Sequence, residues 1–375
     1  MGKYLQLRSN APKAEQLIKE FEDSLEGLLK QQGLPPGVAV TVIANMNFHG
    51  QDIPADIFTR LDYTCNLGQD ESSVLKEVFG RIDNGKASID RPLREEIGDF
   101  VLQYNFIRGY RPRREAKKLD TQLNAPIEFD STGKPKGFNY TLPEIDKEHF
   151  TTRDLGGIAI DFLFNRYPFA PGHFVFVPNR KPKDRHIHNQ YLDPEKDVAI
   201  LEAALHYVTS GEYGNDIRLA YNSLDAHASV NQLHFQGFFL TQDWQPPFEM
   251  ILEKHNGSPT IDCYFKNIRW ITASEGVDGI KEFLTEMNKR RETGEKVAFN
   301  IYLTPKGIAC FPRKHQGDEE YFSQLQQSPF TTGYAFFEML GEVISPVSIT
   351  ELLKVNNRTD IKRRIQSLYD HLSLE

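Results

Sequence analysis

The chain has 375 residues, 39% of them apolar and 26% charged, with a formal net charge of −8. This is the composition of a folded chain long enough for two domains or one large two-part domain, which sets disorder aside. The negative balance disfavours non-specific nucleic-acid binding but leaves room for a local basic patch that holds a small phosphorylated ligand. The three cysteines, Cys65, Cys263 and Cys310, are widely spaced and form no C-x-x-C pair, so neither a disulfide framework nor a cysteine zinc site is suggested and a reducing cytosol fits. Met1–Arg8 lacks the apolar core of a signal peptide, and no run approaches the roughly 20 apolar residues of a membrane span. The expectation is a soluble cytoplasmic protein with neither nucleic acid nor membrane as partner.

Lys13 to Lys30 carries a helical pattern with Leu17, Phe21, Leu25 and Leu28 on one face, ended by Gly33-Leu34-Pro35-Pro36-Gly37. Val38 to Ala44 reads as a strand, and Pro92 to about Asp99 as a helix. The chain then turns basic through Arg108, Arg111, Arg113, Arg114, Lys117 and Lys118. Asp130 to Gly137 is a loop, and Phe138-Asn139-Tyr140-Thr141 a short strand. Asp161 to Asn179 predicts strand, turn and strand around Pro168, Pro171 and Gly172, followed by a helix over Val198 to Ser210. Strands at Ile217 to Tyr221 and Leu233 to Leu240 flank a polar loop. Further on come a strand at Ile268–Thr272, a helix at Val277–Lys289, and strands at Val297–Leu303 and Ile308–Phe311. A helix-rich tail from Glu338 to His371 breaks at Pro346. The mixture, with hairpin-like strand spacing, predicts an α+β fold with antiparallel pairing.

The stretch Asn222-Ser223-Leu224-Asp225-Ala226-His227-Ala228-Ser229-Val230-Asn231-Gln232-Leu233-His234-Phe235-Gln236 carries the most chemistry. In an extended strand Gln232, His234 and Gln236 share one side, and Leu233 and Phe235 the other. A neutral imidazole in such a row can attack phosphorus and form a covalent intermediate. Asn222, Ser223 and Ser229 offer amide and hydroxyl donors to phosphoryl oxygens, against an ordinary loop-capping role. Arg108, Arg111 and Arg113 offer fixed charge and bidentate contacts, against a solvated basic surface.

Upstream, Phe164-Asn165-Arg166-Tyr167-Pro168-Phe169-Ala170-Pro171-Gly172-His173 leads into an apolar run. In order and spacing this turn and the His234 strand resemble the histidine-triad and galactose-1-phosphate uridylyltransferase superfamily. Phe100-Val101-Leu102-Gln103-Tyr104-Asn105 with the basic cluster, Phe138-Asn139-Tyr140-Thr141 and Ala298-Phe299-Asn300 extend the resemblance over most of the chain, to the GDP-L-galactose and GDP-D-glucose phosphorylase family. The resemblance implies antiparallel half-barrel sheets flanked by helices, in two halves of histidine-triad type. It divides the chain into an N-terminal half with the basic phosphate-binding segment (1–150), a catalytic half with the nucleotide-binding turn and His234 (151–250), and a C-terminal completion with the helical tail (251–375). It implies His234 as nucleophile with Gln236 and Gln232 beside it, and a nucleoside held by Asn165, Arg166, Tyr167 and Pro168. The implied reaction converts a GDP-hexose and inorganic phosphate to hexose 1-phosphate and GDP through a nucleotidyl-histidine, with no cofactor and no metal. Alternatives are another base or acceptor, including a hexose 1-phosphate acceptor or a dinucleoside polyphosphate donor, and a nucleotide-binding protein without turnover. Oligomeric state is not readable from the residues, and the resemblance leaves a homodimer open.

Gln232 stands where the family motif begins with histidine, and Asp225-Ala226-His227 replaces a Gly-Ala-Phe-like loop. Asp225 would repel an anion there unless it points away or meets a base. The rival stretch His186-Ile187-His188-Asn189-Gln190 has the literal His-x-His-x-Gln spacing but no strand-forming run after it, and reads as a surface loop. His173 reads as orienting the turn. Asp154 and Asp161 are the nearest acids, as ribose contacts or as caps.

Overall fold

The computed structural model describes residues 5–62, 64, 69–87, 89–110, 127–131, 136, 138–181, 187–228, 230–255, 264–328 and 333–374. Arg111, Arg113, Ser229 and His186 lie outside the described residues.

The chain opens with helix α1 (Pro12–Lys30), which buries Leu17, Ile18, Phe21 and Leu25 along one face as its periodicity predicts. The next apolar run corrects the expected strand at Val38–Ala44, because it is helix α2 (Pro36–Phe48). Proline at its first turn suits a helix start, and every residue from Val38 to Asn47 is buried. A helix covered on all sides has no polar stripe, so its apolar run imitates a buried strand. Polar side chains of α2 bond back to their own helix inside the core: Thr41 donates to the Gly37 carbonyl (3.0 Å) and Asn45 to the Thr41 carbonyl (2.8 Å).

Short strands β1 (Ile53–Pro54), β2 (Ile82–Asp83) and β3 (Lys86–Ala87) form a small ribbon in the order β1-β3-β2. The expected helix at Pro92–Asp99 is instead β4 (Leu93–Ile97), hairpin partner of β5 (Phe100–Tyr104). Leu-Arg-Glu-Glu-Ile has helical propensity, but Gly98 at φ 70° turns the chain back within two residues. The Arg94 guanidinium then forks onto the buried Glu342 carboxylate at 2.8 and 2.7 Å. Glu342 belongs to β14 (Glu342–Ser345), which pairs parallel with β5. The tail expected to be helix-rich thus contributes a strand between the helix Phe336–Met339 and the helices Ile349–Val355 and Arg358–Leu372. Phe138–Thr141, expected as a strand, is turn and bend.

The remaining strands are β6 (His149–Leu155), β7 (Ile158–Phe164), β8 (Phe174–Pro178), β9 (Ile217–Asn222), β10 (Phe235–Phe239), β11 (Arg269–Thr272), β12 (Val297–Thr304) and β13 (Gly307–Lys314). They join into one sheet of eight in the order β11-β13-β12-β9-β10-β8-β7-β6, every pairing antiparallel. The architecture is mixed α+β, as expected.

Strand alternation gives this sheet two unlike faces. One carries Phe162, Phe174, Phe176, Tyr221, Phe235 and Ile301 under the helices Val198–Thr209 and Gly276–Glu292. Each such side chain is worth about 2 kcal/mol of apolar transfer. The other carries Ala220, Phe238, Tyr302 and Phe311, packed against α2, β5 and the helices Phe336–Met339 and Arg358–Leu372. Gly237 permits the close pairing of β10 with β8, since a Cβ there would lie 2.1 Å from the Phe174 ring.

Candidate active site

His234 lies one residue ahead of β10, so the expected strand at Leu233–Leu240 begins later, at Phe235. Gln236 pairs with Ala220, and Asn222 with Asn300. The β9–β10 ladder ends at Gln236–Ala220; beyond it the Gln190 side chain bridges the His234 amide to the Asn222 carbonyl, and alternation from Gln236 keeps His234 on the sheet face of Gln236, Asn222 and Asn300.

The histidine is 2% exposed. Its Nδ1 lies 2.8 Å from the Gln232 carbonyl oxygen. A carbonyl only accepts, so Nδ1 bears the proton and Nε2 bears the lone pair. Among the described residues no hydrogen bond engages Nε2. Burial pulls the imidazole down to about 4, against the smaller opposing effect of the Gln232 carbonyl, so the ring is neutral at physiological pH. The Tyr140 ring meets it edge-on at 5.2 Å.

Gln190 fixes the backbone of this residue. Its Oε1 accepts from the His234 amide at 2.8 Å, and its Nε2 donates to the carbonyls of Asn222 (2.8 Å) and His234 (3.1 Å). The rival stretch is therefore a brace for His234: the His188 carbonyl takes the Leu233 amide (2.7 Å), while the His188 ring faces Asp197 (2.9 Å). Sequence reasoning registered Gln190 as the end of a competing motif and missed this role.

Gln232 also acts as a brace. Its side chain accepts from the Tyr140 amide at 2.8 Å and donates to the Arg180 carbonyl at 3.3 Å. Arg180 in turn holds the Tyr140 carbonyl (2.9 Å) and the carboxylates of Asp146 (2.8 Å) and Asp161 (2.6 Å). The Gln232 amide thus positions the ring that covers His234, and its backbone carbonyl sets the tautomer. Although burial opposes it, hydrogen bonds from His149, Arg180 and Thr152 hold the Asp161 carboxyl well below the usual range. Asp154 caps a turn through the Gly157 amide (2.9 Å).

Gln236 touches the upstream turn through its Oε1, 2.9 Å from His173 Nε2. His173 Nδ1 faces the Phe169 amide at 3.4 Å, and Asn165 Nδ2 lies 3.2 Å from Nε2. A proton on Nε2 satisfies both Phe169 and Gln236. Burial, reinforced by the Arg108 charge, pulls His173 down to about 3, so this imidazole is neutral. With Oε1 turned to His173, the Gln236 amide nitrogen is the end that makes no hydrogen bond among the described residues.

Three successive carbonyls of the turn are caught from the β5 side. Arg108 Nη1 donates to Tyr167 (3.1 Å), Asn105 to Pro168 (2.9 Å) and Gln103 to Phe169 (3.0 Å). This accounts for the Phe100–Asn105 stretch, because a buried turn must satisfy its carbonyls. The Arg108 guanidinium also stacks 4.6 Å over Phe169. Arg166 is engaged by Glu71 (2.6 Å) and Glu148 (3.0 Å). Asn165 takes an Asn45 hydrogen bond on its carbonyl (2.9 Å) and gives its side-chain oxygen to the Tyr167 amide (2.9 Å).

On the loop after β9, the Ser223 hydroxyl accepts from the Phe299 amide at 3.0 Å. Asp225 lies 3.7 Å from Arg291, which offsets its charge. His227 is left-handed at φ 67°, its amide donating to Gln316 Oε1 (2.7 Å) and its Nε2 lying 3.2 Å from the Tyr321 hydroxyl. Among the described residues no cluster of three or more potential metal ligands occurs, and no helix is long and apolar enough to cross a membrane.

No family model matches the chain, and no curated protein matches it. Among solved structures, yeast Ap4A phosphorylase Apa2 in complex with Ap4A is similar with a TM-score of 0.46 at 12% identity, over 83% of this chain and 99% of that one. The complex of the same yeast protein with AMP gives a TM-score of 0.45 at 12% identity, over 83% and 98%. Likeness at this level leaves any assignment of chemistry to the geometry of the site itself.

Proposed function

We propose that the chain is a nucleotidyltransferase of phosphorylase type that works through a covalent nucleotidyl-His234 intermediate. The observation that carries the reading is the 2.8 Å contact of His234 Nδ1 with the Gln232 carbonyl, which assigns the lone pair to Nε2 of a buried, neutral ring. Nε2 attacks the nucleotide-side phosphorus of a nucleotide sugar. The bond from phosphorus to the bridging oxygen breaks, and the sugar 1-phosphate departs with the electron pair. An oxygen of inorganic phosphate then attacks the same phosphorus, the N–P bond breaks, and a nucleoside diphosphate leaves with His234 restored. GDP-hexose is the favoured donor through the family resemblance of the Asn165–His173 and Leu233–Gln236 stretches. Positioning and donors aimed at the phosphoryl oxygens supply the catalysis; Gln236, Asn222 and Ser229 are proposed in that role. Asn165, Tyr167 and Pro168 are proposed to hold the nucleoside, with Arg166 anchoring their turn. In this reading 1–150 supplies Tyr140 and the turn's braces, 151–250 the nucleophile and turn, and 251–375 Asn300 and the cover of the sheet.

Incubation with GDP-hexose radiolabelled in the nucleotide is expected to label wild type and leave His234→Ala unlabelled. Added phosphate is expected to discharge the label as GDP, with hexose 1-phosphate identified by mass. Equal labelling of the two proteins overturns the mechanism. Labelling discharged only by a sugar 1-phosphate or a nucleotide would keep the nucleophile and change the acceptor.

A further inference from the structure

The sheet face that carries His234 also carries buried donors that meet no acceptor. Asn222 Oδ1 accepts from Asn300 Nδ2 (2.6 Å) and from the Phe336 amide (2.8 Å). These two donors fix the orientation of the Asn222 amide, so the group left over is its Nδ2, which is buried without a hydrogen bond. Asn300 Oδ1 is approached by Arg313 Nη1 at 3.4 Å, which links the next strand to the same cluster. Arg313 is fully buried, donating Nη1 to the Tyr334 carbonyl and Nε to the Lys314 carbonyl at 3.3 Å. The Tyr321 ring lies 5.7 Å from its guanidinium. Its Nη2 is buried without a hydrogen bond, and so is the Tyr334 hydroxyl. Among the described residues no carboxylate forms an ion pair with Arg313. The nearby Glu338 gives Oε2 to the Ala335 amide (2.9 Å), and burial pushes its carboxyl up to about 7.

Every unmet group here can donate, and one bears a full charge. Tyr321 and Glu338 act on the buried guanidinium, but among the described residues no carboxylate reaches it at ion-pair distance, a costly arrangement in a protein interior. A neutral or cationic ligand would not relieve it. A tetrahedral oxyanion would, since its oxygens accept several hydrogen bonds and guanidinium matches them geometrically.

We propose that Arg313, Asn222 and Tyr334 form the inner wall of an anion subsite, on the sheet face that carries His234, which takes the oxygens of a phosphate group. This deepens the proposed function and rests on it for the identity of the anion as substrate phosphate. Two sources share the chemistry, the acceptor inorganic phosphate and the phosphate of the bound nucleotide. Arg313 carried no motif signal beyond being a charge inside the apolar strand Ile308–Phe311 and its continuation.

The test is calorimetric titration of inorganic phosphate, and separately of GMP, into wild type, Arg313→Met, Arg313→Lys and His234→Ala, with a melting curve for each. Wild type and His234→Ala are expected to bind, and Arg313→Met to lose at least about tenfold in affinity for one of the two anions, the usual effect of removing a charge-assisted donor. A loss for phosphate alone assigns the subsite to the acceptor, and a loss for GMP assigns it to the nucleotide. Affinities within twofold of wild type for both anions, in a folded Arg313→Met, overturn the proposal. If that variant fails to fold, Arg313→Lys is read the same way, because a compact ammonium keeps the charge and loses the fork. Arg313-dependent anion binding without nucleotidyl labelling of wild type would leave the subsite standing and remove the transfer mechanism. Labelling with Arg313-independent binding would do the reverse.

Discussion

Acid should destabilise this protein before its carboxylates titrate in bulk, because three histidines are held neutral inside the fold. Burial lowers His234 and His49 from 6.5 to about 4, and lowers His173 to about 3 with help from Arg108. His49 is partly exposed as a residue, but its Nε2 is out of solvent reach. Below pH 6.5 the unfolded chain takes up these protons and the folded chain refuses them, so stability falls as pH drops. Each refused proton costs about 1.4 kcal/mol per pH unit. Glu338 works the other way. Burial raises it from 4.5 to about 7, so across pH 7 to 4.5 the folded state holds a proton that the unfolded state releases, and this offsets one histidine. The net uptake of two protons predicts a loss of about 3 kcal/mol between pH 6 and pH 5, a large part of the roughly 5–15 kcal/mol that folds such chains. Urea unfolding at pH 7.5, 6.5, 6, 5.5 and 5 measures the slope. His49→Gln should reduce it to about one proton, and Glu338→Gln should steepen it to about three. A stability that changes by less than about 0.5 kcal/mol from pH 6 to 5 would refute the argument that these rings are buried neutral.

Gln190→Leu keeps the volume and leaves the His234 amide and two carbonyls buried without partners. Urea melts should show a loss of about 3–5 kcal/mol, with nucleotidyl labelling reduced in parallel; a loss below about 1 kcal/mol would mean the brace is dispensable. Gly237→Ala places a methyl carbon 2.1 Å from the Phe174 ring across the β10–β8 pair. It should cost at least about 2 kcal/mol in thermal or urea unfolding, since neither strand can retreat from the sheet. Gln232→Leu strands the Tyr140 amide and should cost about 1–3 kcal/mol. His234 labelling should persist, because the tautomer depends on the Gln232 carbonyl, which the substitution retains; complete loss of labelling would show that the side chain acts on the nucleophile.

Where a short apolar run is bounded by turn residues, as at β8, β9, β12 and β13, or where a helix keeps one apolar stripe, the pattern was sufficient even though those strands are buried on both faces. The α1 helix, the β7–turn–β8 unit, β9, and β12 with β13 lie within a few residues of where their patterns put them. The misreadings share a physical cause. α2 is buried on all sides, so no periodicity separates helix from strand. β4 contains residues with helical propensity, and its identity comes from Gly98 and from Glu342, a partner 248 positions away from Arg94. β14 is a four-residue run in a helix-dense tail, and its parallel place beside β5 makes it a strand. Each of these was decided by tertiary partners that outweigh local preference.

The candidate site divides along the same line. Motif spacing within one stretch singled out His234 and Gln236, and the upstream turn whose His173 meets Gln236 in the structure. It could not say which nitrogen of His234 keeps its lone pair, because a backbone carbonyl decides that. His186-Ile187-His188-Asn189-Gln190 has the nominal spacing of the motif, yet Gln190 reaches 44 positions along the chain to hold the His234 backbone. The stretch with the less regular letters faces the sheet surface, and the more regular one supports it. Asn300 and Arg313 come from strands on the far side of β9, so their place on the sheet face of His234 exists only in sheet register. A spacing motif thus marks where a nucleophile can stand, and the donors around it are chosen by which strands the fold lays alongside. That makes Arg313, rather than a further residue of the 222–236 loop, the position at which anion affinity should respond most sharply to a change in shape at constant charge.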